Sequence, residues 1–140
     1  MPDPLTQQAF EDWQAAGRLL EDSLSRYVSY DRSKKYTPWE MEFYDSLSFR
    51  YTKTLEAAFY FFRSLEQELT GKPSEFFRDQ LLKMEKAGLV SSTEDWMEAR
   101  KLRNRMAHSY QPEELEKIYV QLVVSARMIL DALAKAKKFV

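Results

Sequence analysis

Cysteine is absent from the 140 residues, and histidine occurs once, at His108. The first absence excludes disulfides, thiol catalysis and thiolate metal sites. The second excludes a histidine metal cage, or a catalytic histidine pair, drawn from one chain. Glycine, at 3, and proline, at 5, are scarce. That is too little turn chemistry for a chain of many short strands such as a sandwich or barrel. Neither sign of charge prevails: 21 basic and 22 acidic residues leave a net charge of −1. No global pull toward nucleic acid or an anionic membrane follows, and any cationic site must be local. No apolar run is long enough to span a bilayer. The opening MPDPLTQQAFEDW lacks the basic and apolar regions of a secretory signal. The expectation is a cytoplasmic protein with no membrane partner, a single domain over 1–140, and no metal.

What is present is helical periodicity. Phe10, Trp13, Gly17, Leu20, Leu24 and Tyr27 recur by threes and fours, the apolar seam of a first helix starting near Pro4. The stretch from Tyr30 to Tyr36 reads as a polar loop. Thr37, Pro38 and Glu40 then form a capping box with proline at the first helical position. A long second helix follows, with Tyr44, Leu47, Tyr51, Leu55, Ala58, Phe62, Leu65 and Leu69 inward, ending before Gly71 and Pro73. Its Phe59–Phe62 run is apolar on all sides, which suits either the middle of a bundle or a second subunit. A short third helix after Ser74 directs Phe77, Leu81 and Met84 inward and stops at Gly88. The fourth starts after Ser92 or Thr93, with Glu94 and Asp95 at its positive end and Trp96, Ala99, Leu102 and Met106 inward. The fifth starts at Pro112, carries Leu115, Ile118, Leu122, Ala126, Ile129 and Leu133, and ends among lysines. No segment has strand period. The expected fold is all-α, an up-and-down bundle of four or five helices.

One stretch is poorly explained as plain structure: Arg100 to Tyr110, with three arginines around the single histidine. At about 100° per residue, Arg103 falls inside the inward arc set by Trp96, Ala99, Leu102 and Met106. A core-facing arginine must be paired or must line a cleft. Arg100, Asn104 and His108 share another face, with His108 about 140° from Arg103. The two converge only if the helix loosens near its end, or if two chains contribute. Pro112 makes a helix end here expected. A lone histidine at a helix end is ordinarily a surface residue. The surrounding cations suit a phosphate site instead.

The segment Arg103-Asn104-Arg105-Met106-Ala107-His108-Ser109-Tyr110 resembles the Arg-x4-His-x-Tyr signature of HEPN-domain proteins. It is most similar to the toxins of HEPN/MNT toxin–antitoxin pairs and to the related nucleotidyltransferase substrate-binding proteins. Upstream, Tyr51-Thr52-Lys53-Thr54-Leu55-Glu56-Ala57-Ala58-Phe59 resembles the second-helix stretch of the substrate-binding group. So do Ala87-Gly88-Leu89-Val90 and the following Trp96. Thr52 departs from the acidic residue of that group. The resemblance runs from about Tyr44 to the C-terminus.

The resemblance implies a HEPN-like bundle that forms a homodimer, with the motif at a cleft between subunits. It implies a ribonuclease needing neither metal nor cofactor, acting on RNA such as tRNA or mRNA. His108 would be the general acid/base and Arg103 the phosphate-holding catalytic residue. Asn104, Arg100 and Arg105 would support them. Tyr110 would be the residue that a partner MNT-type nucleotidyltransferase antitoxin modifies with AMP, silencing the toxin (AMPylation). The alternative is a non-catalytic subunit that holds a substrate or nucleotide for a small nucleotidyltransferase. A plain structural bundle is the third reading.

Overall fold

The computed structural model describes residues 3–140. Among them are five α-helices and no strand: α1 (Pro4–Ser25), α2 (Pro38–Thr70), α3 (Phe77–Lys86), α4 (Thr93–Met106) and α5 (Pro112–Ala136). A 3₁₀ turn, Lys137–Phe139, follows α5. No helix among the described residues is long and apolar enough to cross a membrane.

Local chemistry sets the boundaries. Asp3 caps α1 by accepting from the Leu5 amide. Thr37 accepts from the Glu40 amide at 3.2 Å while Glu40 accepts from the Thr37 amide at 3.0 Å, the reciprocal capping box that starts α2. Ser92 caps α4. Gly71 and Gly88 end α2 and α3 at φ of 79° and 81°, a left-handed conformation that a Cβ disfavours. The third helix starts later than its sequence suggests. Phe76 occupies its N-cap without a side-chain bond, because Ser74 is engaged elsewhere. Its amide and hydroxyl both donate to Glu66.

Packing centres on α2, which lies against each of the other helices. Trp13 of α1 meets Phe61 and Phe62 of α2 at 5.5 and 5.7 Å between ring centres, and Phe62 meets Trp96 of α4 at 5.0 Å. All four rings are fully buried. Each large apolar side chain so buried contributes about 1.5–3 kcal/mol. At Gly17 a Cβ would stand 2.8 Å from Leu133 Cδ2, so the missing side chain lets α1 and α5 approach closely.

Two expectations along this core are corrected. Leu69, placed on the inward stripe, is exposed in the last turn of α2, just before Gly71 ends the helix. The stretch from Tyr30 to Tyr36 is not simply polar. Tyr30 is buried, stacked on Tyr36 at 4.8 Å and set edge-on to Tyr44 at 5.3 Å. Tyr44 donates to the Val28 carbonyl at 2.6 Å, tying the loop down. The Phe59–Phe62 run divides by face: Phe61 and Phe62 are buried, Phe59 is half-buried and Tyr60 faces outward.

Candidate phosphate-binding cleft and the end of α4

The helical register of α4 puts Trp96, Ala99 and Leu102 into the core. Arg100 and Arg103, one turn apart, then face the C-terminal half of α2 and the segment leading into α3. There they line a cleft of about 790 Å³. Its floor is aromatic. Phe59 and Phe77 pack edge to face at 4.8 Å. The Arg103 guanidinium lies 5.9 Å from the Phe59 ring centre, and that of Arg100 lies 4.6 Å from the Phe77 ring centre. Such cation–ring contacts hold a guanidinium in place without neutralising it. Arg63 completes a set of three arginines, and Tyr60 and Phe76 stand at the rim, 66% and 63% exposed.

The arginines are weakly committed within the chain. Arg103, with 23% of its side chain exposed, pairs with one carboxylate among the described residues: Glu56 Oε1, 3.9 Å from its Nη1. Among the described residues, Arg63 and Arg100 form no salt bridge. Behind Arg103, Tyr51 is fully buried and hydrogen-bonded to Ser125 Oγ at 2.6 Å. Burial pushes its phenol up to about 12, against the opposing pull of the Ser125 bond and the Arg103 charge. Tyr51 is therefore a neutral strut between α2 and α5.

The wall opposite α4 is fixed by a buried carboxylate. Glu66 accepts from the Ser74 amide at 2.9 Å, from the Ser74 hydroxyl and from Gln80 Nε2 at 3.2 Å. It also pairs with Lys83 Nζ at 3.0 Å. Burial alone would raise its pKa, but these bonds favour the charged form and bring it down to about 2. An ionised Glu66 thus anchors the cleft-lining Ser74 and Gln80 to α2.

The remaining motif residues lie elsewhere. The helix wheel holds only to Met106, where α4 ends. Gln111, driven to extended backbone by Pro112, has φ −82° and ψ 139°. Between them the His108 amide and the Ser109 hydroxyl both donate to the Arg105 carbonyl, at 3.0 and 2.8 Å. The wheel angles of His108 and Tyr110 therefore do not apply. His108 and Tyr110 are exposed in this turn, Tyr110 at 79%. Asn104 is exposed on α4. Neither Asn104, His108 nor Tyr110 lines the cleft. Arg105 lies on the opposite side of α4, hydrogen-bonded to Gln121 of α5. One chain therefore gathers Arg100 and Arg103, and leaves His108 outside their cleft.

Arg63, Tyr60 and Phe76 also line the cleft, beyond the residues the sequence singles out. Arg63 follows Tyr60 by three residues on the outward face of α2, a signal that was legible. Phe76 enters only through the course of the segment before α3. Among the described residues no three His, Asp or Glu side chains converge in a way that could hold a metal ion. The chain matches no protein-family model, no curated protein and no solved structure.

Proposed function

We propose that this chain is a ribonuclease of the HEPN toxin type, in which the cleft of Arg100 and Arg103 holds an RNA phosphate and His108 serves as acid and base. The observation that supports it is Arg103: held over the Phe59 ring, three-quarters buried, yet 3.9 Å from the one carboxylate it pairs with among the described residues. An arginine kept charged and only loosely paired is poised for an anion. Cleavage through the ribose 2′-hydroxyl needs proton transfer and stabilisation of a charged phosphorane. Because His108 does not line its own chain's cleft, the reading requires a homodimer in which the α4 ends of two chains meet. Control would come from an MNT-type nucleotidyltransferase acting on the exposed Tyr110.

The position of His108 also favours a second reading, a binding subunit for such a nucleotidyltransferase. In that case the cleft holds an anionic substrate or nucleotide and no bond is broken. Incubation of labelled RNA with the purified chain in excess EDTA, alongside His108→Ala and Arg103→Ala, tests the choice. Cleavage lost in both variants supports the ribonuclease. RNA retention without cleavage, dependent on Arg103 and indifferent to His108, supports the binding subunit.

A further inference from the structure

Helix α5 carries a line of outward side chains that the other described residues leave largely uncovered. Val120 and Val124 are 60% and 70% exposed, and Met128 continues their line half-exposed. Exposed charges extend it on both sides: Glu113 and Lys117 before, Asp131 and Lys135 after. The spacing by threes and fours keeps all seven within an arc of about 80°. Among the described residues none of the four charged groups forms a salt bridge.

The order of these residues is self-complementary. Counted outward from Val124, Val120 mirrors Met128, Lys117 mirrors Asp131 and Glu113 mirrors Lys135. A two-fold axis through an antiparallel helix pair sets residues at equal distance from the axis opposite each other. With the axis at Val124, every position meets its complement: apolar on apolar at the centre, opposite charge on opposite charge toward both ends. Beside this line runs a groove between α4 and α5, walled in part by Ala99 and Leu102, which gives apolar side chains of a facing helix a place to enter.

We propose that α5 docks a second copy of this chain, antiparallel, with the two-fold axis at Val124. The alternation of sign in mirrored order fits neither a nucleic acid, which would meet Glu113 and Asp131, nor a partner of one charge. The contact goes beyond the composite-site reading. His108 precedes α5, so this pairing puts the two His108 side chains at opposite ends and does not bring the α4 ends together. A single helix pair is also smaller than permanent interfaces, so the association is concentration-dependent.

The absence of cysteine makes the test direct. Val124→Cys gives each chain one thiol, which the axis brings opposite its counterpart, within reach of a disulfide. With oxidised glutathione at micromolar protein, most chains are expected to link as dimers. Lys117→Cys alone is expected not to link, whereas an equal mixture of Lys117→Cys and Asp131→Cys gives the mixed dimer. Linking of Lys117→Cys to itself as fast as Val124→Cys would overturn the register. No linking of Val124→Cys above that control would overturn the contact. In sedimentation without oxidant, Lys117→Asp is expected to weaken self-association at least tenfold and Lys117→Asp/Asp131→Lys to restore it. No rescue by the double reversal argues against the charge pairing. These readouts are independent of RNA cleavage, so loss of the ribonuclease reading leaves the result on α5 standing, and the reverse holds too.

Discussion

Arg103 Nη1 stands 3.9 Å from Glu56 Oε1 while its guanidinium rests 5.9 Å from the Phe59 ring centre. The ring fixes where the cation sits, and the carboxylate is too distant and too exposed to neutralise it. Glu56 is 54% exposed, so water screens what attraction remains. The relationship makes Glu56 a competitor of any anion that enters the cleft.

Glu56→Gln is therefore expected to leave thermal stability within about 0.5 kcal/mol of the parent, the range of an exposed ion pair. It is expected to tighten RNA binding several-fold. Melting curves and a fluorescence anisotropy titration at fixed salt check both halves. Weaker binding would show that Glu56 orients Arg103 for the ligand.

Arg103→Ala and His108→Ala should separate binding from chemistry. His108 is exposed and its side chain makes no hydrogen bond among those of the described residues, so His108→Ala is expected to shift stability by no more than about 0.5 kcal/mol. Arg103→Ala loses a cation–ring contact and some packing, about 1 kcal/mol. RNA binding is expected to fall at least tenfold in Arg103→Ala and to persist in His108→Ala, with cleavage absent from both. Unfolding of the His108 variant would assign the histidine a structural role.

The helices were legible because their signals are local: the capping box at Thr37, proline at positions 38 and 112, and glycine at 71 and 88. The inward position of Arg103 was legible for the same reason, since Trp96, Ala99 and Leu102 lie within the same few turns. Two features were not. The tyrosine cluster draws Tyr30, Tyr36, Tyr44 and Tyr119 from a loop and two helices, and the loop reads as polar because its charged residues lie between the rings. The far wall of the cleft depends on Glu66 holding Ser74 and Gln80 across a chain reversal, and no sequence period encodes that. On α4 the helix wheel misled only past Met106, where proline ends the helix it assumes.

Tyr110 is 79% exposed, in the turn between α4 and α5. A hydroxyl so placed is open to a transferase without unfolding. With an MNT-type nucleotidyltransferase, ATP and Mg²⁺, intact mass is expected to rise in steps of AMP, and Tyr110→Phe is expected to abolish the rise. Each AMP adds about one negative charge near the α4 end, where it opposes an incoming RNA phosphate. A rise that persists in Tyr110→Phe would move the modification to another residue.

Acid acts on this fold through Glu66. Glu66 is fully buried, and the bonds from Ser74, Gln80 and Lys83 hold its folded-state pKa at about 2, below an unfolded value of about 4.5. A group depressed on folding contributes its full stability above the unfolded pKa and loses it as pH falls through the folded one. The window is therefore about pH 4.5 down to about pH 2, and the contribution is on the order of 3 kcal/mol. Lys83 is 37% exposed on its side of the pair, so water screens that arm and the hydrogen bonds carry most of the effect. Glu66→Gln keeps the shape, removes the titration and leaves one acceptor oxygen where four donors converge. It is expected to lower stability at pH 7 by about 2 kcal/mol and to flatten the acid limb between pH 4.5 and 2, measured by urea unfolding at stepped pH. Because Glu66 anchors Ser74 and Gln80, the same variant is expected to weaken anion binding in the cleft even where it remains folded. An acid limb as steep in Glu66→Gln as in the parent would assign the acid sensitivity to other carboxylates.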